Sequence, residues 1–302
     1  MTAAERGLWP AGKRCAVAIT VRLDGPLFWL RLDPASRDRP KTLSIGEYGL
    51  RRGAPRLLDL LGQLGLAATW LVPGAIAEAE PTLCRAIAEL GHEVGQRGYQ
   101  LEDFSALTRA EQRRVLQAAG EAISAATGSE PSGFSAPPGD VTAGTFDVLG
   151  ELGYSWCSVL HGDDLPSFVG TGGTRPLVHL PNRWELHDAP YFVFNYEPAY
   201  PPGQGRIASY DDVLASWQAE FDGYLAESGC LVLALDAQSA GTPGKADLIA
   251  ELLRYFLASG QAWLATCAEI AAWWAARQPA LADESERARR AAPGAPGSGP
   301  DR

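Results

Sequence analysis

Histidine is scarce in this chain. His92, His161, His179 and His187 are the only four in 302 residues, and none stands at a ligand spacing such as i,i+4 from another. The inventory therefore offers little from which to build an imidazole metal site. The five cysteines, Cys15, Cys84, Cys157, Cys230 and Cys267, are odd in number and widely spaced, with no C-x-x-C pair. That argues against a disulfide framework and reads as reduced thiols, several of them in the core. No apolar run approaches the ~20 residues a membrane helix needs. The stretch Met1–Pro10 has no apolar h-region, so no signal peptide is expected and the expected compartment is cytoplasmic. Clustered cations are missing too: 26 Lys and Arg against 36 Asp and Glu leave a net charge of −10, which argues against a general nucleic-acid or anionic-membrane surface. Gly170-Thr171-Gly172-Gly173-Thr174 lacks the Gly-Lys-Ser/Thr ending and following helix of a phosphate loop and reads as a surface loop.

What is present is an alternation of short apolar runs and helical patterns. A chain that is 46% hydrophobic and 21% charged has the composition of a soluble globular protein and is long enough to bury a full core. Strands are expected at 16–21, 67–72, through Trp156, at 230–235 and at 262–265; helices at 55–64, from Pro81 to about Leu90, and at 108–127, 142–152, 210–226, 245–258 and 268–276. Leu57, Leu58, Leu61 and Leu64 make one helix face, and Thr108 with Glu111 makes a capping box. Such alternation implies a parallel sheet covered by helices, open or closed into a barrel, and periodicity cannot choose between the two. One domain is expected over residues 1–276. Residues 277–302, rich in Ala, Pro, Gly and Arg, read as a disordered tail.

The segment Gly91-His92-Glu93-Val94-Gly95-Gln96-Arg97-Gly98-Tyr99-Gln100-Leu101-Glu102 resembles the pattern Gly-His-Glu-Ile-x-x-His-Gly-Tyr-x-His-Glu of the polysaccharide deacetylase (NodB homology, carbohydrate esterase 4-like) family. Further landmarks follow in family order. They include Trp9-Pro10, Gly46-Glu47-Tyr48-Gly49, Ala68-Thr69-Trp70-Leu71-Val72-Pro73-Gly74, Leu180-Pro181-x-x-Trp184 and Gly241-x-Pro243-Gly244. The likeness runs from about Trp9 to about Trp274 and is strongest to the branch of peptidoglycan-deacetylase-like proteins and PuuE-type allantoinases. It implies an irregular (β/α)7 barrel with its site at the C-terminal ends of the strands.

Carried over residue by residue, the resemblance finds most of the family's functional side chains replaced. Its two metal-binding histidines fall on Arg97 and Leu101. Its catalytic base falls on Arg22, while the metal-binding aspartate remains as Asp24. Its arginine is Ser135, its paired aspartates are His187-Asp188, and its late histidine is Asp236. A guanidinium has no lone pair to give a metal. A dication about 5 Å from one is opposed by roughly 6–7 kcal/mol at an effective dielectric near 20. The expectation is a site with no metal and no cofactor.

Arg22 and Arg97 beside Asp24 and Asp236 admit two readings: internal pairing that fills the vacated cavity, or a fork for an anionic or ureide ligand. The chain is expected to be a metal-free deacetylase-like protein that binds a small polar or anionic molecule, and a homo-oligomer is possible. Candidate ligand-binding residues are Arg22, Arg97, Glu47, Tyr99, Ser135, Trp184 and His187. The alternative is a metal-independent hydrolase or lyase of a cyclic amide or ureide C–N bond. Asp24 or Asp236 would then be the base, and Arg22 or Arg97 would face the oxyanion. A deacetylase with rearranged metal ligands is a third reading. Cys157 and His161 as a thiol pair is disfavoured, because a strand does not bring i and i+4 together. His179 reads as structural, and Trp29 and Trp184 as possible cleft walls.

Overall fold

The run Cys15-Ala-Val-Ala-Ile-Thr-Val-Arg22 has no polar face until its end, as expected of a central parallel strand covered on both sides. In the computed structural model, which describes residues 7–170, 177–202 and 207–277, this segment is β1. It pairs in parallel with three neighbours: β2 (Thr69–Val72), β10 (Cys230–Asp236) and, at its lower end, β11 (Ala262–Leu264). From β2 the parallel ladder continues through β3 (Glu93–Gln96), β4 (Gly133–Ser135), β5 (Trp156–Ser158) and β7 (Leu177–His179). The antiparallel edge strand β6 (Ser167–Val169) closes that side. The far edge of β10 is met not by β7 but by the segment that follows it, through one bridge, His187 to Ala234, with the Asp188 N–H donating to the Ala234 carbonyl at 3.0 Å. The result is the irregular parallel α/β barrel expected from the sequence. A separate hairpin, β8 (Asn195–Tyr196) with β9 (Ala199–Tyr200), stands off it.

The two-residue period of a strand sorts the side chains into an outer and an inner set. On β1, Cys15, Val17, Ile19 and Val21 join the outer core beneath the helices. Ala16 and Ala18 join an inner cluster with Leu71, Trp156 and Val232. The same inner row of β1 then continues to Thr20 and Arg22, which line an open cavity, as do Ala234 and Asp236 of β10. The inside of the barrel is thus packed with apolar groups below and is polar above.

Helix ends follow the sequence signals. Arg109–Thr127 opens with the Thr108–Glu111 capping box and stops at Gly128, whose φ is 79°. Ala54–Leu64 has Pro55 in its first turn and stops at Gly65. The closing helix Cys267–Ala276 has a capping box of its own from Thr266 and Glu269. All five cysteines are free and buried. The tail beyond residue 277 and Thr171–Thr174 of the glycine-rich segment lie outside the described residues.

One helix face fixes the top of the barrel. Gly46, Gly49 and Gly53 lie along the Pro40–Tyr48 helix and the π-helical turn Gly49–Gly53 that follows it. A Cβ at Gly46 would stand 2.3 Å from the Gly25 backbone, and one at Gly53 would stand 1.9 Å from the Ala237 carbonyl oxygen. The loops carrying Asp24 and Asp236 are therefore clamped by backbone-to-backbone contact that any larger residue would break.

Candidate functional site

The inner row and the strand ends bring Arg22, Asp24, Arg97, Ser135, His187 and Asp236 around one cavity of about 820 Å³. Arg97 directly follows β3 and is buried. Its Nε donates to Asp24 Oδ1 at 2.8 Å, and its Nη1 donates to the Ala136 carbonyl. Arg22 ends β1 and makes a longer contact, Nη2 to Asp188 Oδ1 at 3.4 Å, while its Nε has no partner. Asp188 is fully buried, and its other oxygen accepts the Ala240 N–H at 3.1 Å. Asp236 accepts from the Gln238 N–H at 3.1 Å and from Gln238 Nε2 at 3.2 Å, and Gln238 in turn accepts from Trp29 Nε1 at 2.8 Å.

Both arginines pair internally, yet the cavity stays open, so the two alternatives posed by the sequence are not exclusive. Burial acts first on the charges, and the neighbours decide the rest. Burial raises the Asp236 carboxyl to about 7, helped by the negative Asp24 and Asp188 and opposed by Arg22 and the Gln238 hydrogen bond. Burial alone would lower the Arg22 pKa, but Asp236, Asp188 and Asp24 together raise it. Burial holds Arg97 below its ordinary value, only partly offset by Asp24. His187 is pushed well below the usual imidazole range by burial and then by both guanidiniums. It is a neutral ring, donating from Nε2 to Asn182 Oδ1.

The mouth of the cavity carries Trp184, which is 69% exposed and meets His161 edge-on with ring centroids 4.8 Å apart. Leu101, where the resemblance puts a metal ligand, is fully buried among Phe28, Trp29, Ala189 and Val193, outside the cavity lining.

Several expectations need correction. Glu47 is exposed on the Pro40–Tyr48 helix, next to the glycine face that packs inward, and does not line the cavity. Tyr99 is carried outward after Gly98 (φ 70°), and its hydroxyl donates to Glu78 Oε2 at 2.8 Å on the surface. Trp29 is fully buried behind Gln238 and is not a cleft wall. The disfavoured Cys157–His161 pair is indeed not formed: Cys157 lies on the outer face of β5 in an apolar cluster with Phe104 and Phe134, where burial pushes its thiol pKa up, and His161 belongs to the cleft. His179 is structural as expected, its Nε2 accepting the Val159 and Leu160 N–H groups at 3.2 and 2.8 Å. Asp188, placed by the resemblance in the family's aspartate pair, and Ser158, Asn182 and Tyr200 join the cluster or its lining without having been candidates. Strand parity would have found Ser158, which occupies the inner row as Ser135 does.

A parallel α/β barrel with charged residues at the C-terminal strand ends defines the class of protein. The family comparison agrees: residues 42–157 match the Polysaccharide deacetylase family. A peptidoglycan deacetylase of Helicobacter pylori is 30% identical over 233 residues, covering 70% of this chain and 78% of that one. A crystal structure from Mycobacterium smegmatis, of a protein assigned to the polysaccharide deacetylases, superposes with a TM-score of 0.81 at 31% identity, covering 97% of this chain and 96% of the other. PuuE allantoinase shares the fold, with a TM-score of 0.77 at 22% identity over 90% of this chain and 93% of its own. The chain belongs to the polysaccharide deacetylase family.

Proposed function

We propose that this family member has no divalent-metal site and that its cleft binds a small polar or anionic molecule. The observation that carries the reading is the Arg97–Asp24 pair. The one carboxylate kept from the family's metal set is bonded at 2.8 Å to the guanidinium standing where the resemblance puts a histidine. The residues present do not fit a divalent ion. Asp24 is committed to Arg97, Arg22 and Arg97 add two positive charges, and among the described residues no three His, Cys, Asp or Glu side chains are placed to hold one metal ion. Leu101 supplies packing in place of a ligand. What supports ligand binding is the roughly 820 Å³ left open above these pairs, together with the unused donor capacity of Arg22.

One observation favours a second reading, a metal-independent hydrolase or lyase of a cyclic amide C–N bond. Asp236 lines the cavity with its carboxyl near 7, the range suited to a general base or acid. Arg22, paired along the ladder with Asp236, would face the developing oxyanion. Deacetylation with rearranged metal ligands is the remaining reading and finds no donor set among the described residues.

A thermal-shift and calorimetric screen of small amides, ureides and carboxylates in chelator tests the first reading. Binding that Arg22→Ala weakens supports it; no saturable binder in any class counts against it. Turnover of a cyclic amide in the same buffer, lost in Asp236→Asn, would promote the second.

A further inference from the structure

Two hydroxyls inside the barrel are used by nothing else in the protein. Ser135 ends β4 and Ser158 ends β5, and the two are register partners across that ladder. They are 7% and 4% exposed, both line the cavity, and among the described residues neither hydroxyl has a hydrogen-bond partner. Buried hydroxyls are normally satisfied, and a pair left open toward a cavity marks a place where something else supplies the partner.

The surroundings narrow what that partner is. Partnered strands lie about 4.8 Å apart, so both hydroxyls can reach one carboxylate, one per oxygen. Positive charge stands close by, since Arg97 Nη1 is anchored on the carbonyl of Ala136, the residue after Ser135. Apolar lining flanks the two serines, Leu71 and Trp156 of the inner cluster below them and Val159 and Leu160 after Ser158. A dianion fits less well, because Asp24 and Asp236 share the cavity.

We propose that Ser135 and Ser158 form the head-group subsite for a monocarboxylate with an apolar body. Each hydroxyl donates to one carboxylate oxygen, the Arg97 charge lies behind, and the body rests against the Leu71–Trp156 wall. This rests on the reading of the cleft as a small-molecule site and names its ligand class.

The test titrates the full chain with benzoate and with its neutral isostere benzamide, by calorimetry or ligand-observed NMR. Benzoate is expected to bind at least tenfold tighter than benzamide. Ser135→Ala and Ser158→Ala should each weaken benzoate about tenfold or more, the scale of one hydrogen bond to a charged group, and leave benzamide unchanged. Equal binding of the two probes, untouched by either substitution, would overturn the subsite while leaving the cleft a binding site. Binding of neither probe would also overturn it, whatever the wider screen finds. Should an alanine variant fail to fold, the benzoate–benzamide ratio of the unaltered protein decides alone.

Discussion

A half-buried carboxylate and a buried cluster of aspartates lie one above the other along the inner face of the barrel, and they are finished differently. The lower one is Glu93, at the start of β3. Its Oε1 accepts from Trp156 Nε1 at 2.7 Å, and its Oε2 accepts from the Thr69 hydroxyl at 2.7 Å and the Ala268 N–H at 3.0 Å. No cation is involved, and the donors come from β2, β5 and the closing helix. The upper group, four residues further along at Arg97, holds three aspartates and two arginines. There Arg22 Nε has no partner, two serine hydroxyls stay free, and a cavity stands above. Trp156 is the partition: its indole lies across Gly133, where a Cβ would meet it at 1.7 Å, and its edge bonds Glu93 below. The lower network is closed and ties the barrel together. The upper one keeps unspent hydrogen-bonding capacity, which a purely structural network has no reason to keep.

That contrast can be broken from either side. The largest effect is expected from Glu93→Ala, which leaves three buried donors without an acceptor and should cost roughly 3–5 kcal/mol in denaturant unfolding. A loss below about 1 kcal/mol would mean the lower network is not the fastener described. Next comes Asp24→Asn, which strands the buried Arg97 guanidinium and should cost about 3 kcal/mol. Adding Arg97→Met should restore most of it, since an isolated buried charge is worse than no pair.

Asp236→Asn should act chiefly on the pH dependence of stability. The folded carboxyl titrates near 7, above its ordinary 3.8, so the folded chain holds this proton more tightly than the unfolded one. Its contribution is fully present below about pH 4 and is lost as pH rises through 7. Unfolding curves of the variant should therefore slope less between pH 4 and 7 than those of the unaltered chain. The smallest effect is expected from Trp184→Ala. This rim residue should change stability within about 0.5 kcal/mol and show itself only in ligand affinity.

Much of this was legible in the sequence because it depends on local pattern. The apolar run of β1, the capping box at Thr108 and the glycine stops each declare an element without reference to anything distant. The charged cluster was partly legible because Arg22, Asp24, Arg97 and Asp236 sit in motifs whose neighbours still resemble the family. What escaped depends on pairing across the barrel. Asp188 is buried against Arg22, 166 positions away, and only the bridge from His187 to β10 brings it there. Glu47 and Tyr99 were misplaced for the converse reason: both sit in motifs that hold their place in the fold, but their side chains point to the surface. Ser158 stood one residue from Cys157, and alternation alone decides which of the two faces the cavity.

On the proposal above, guanidiniums stand where a metal would be held at the cleft. Metal analysis of the protein after equilibration with zinc and desalting decides the point. Zinc well below one per chain, unchanged by Asp24→Asn, is expected. One zinc per chain that resists a chelator and is lost in Asp24→Asn would contradict it.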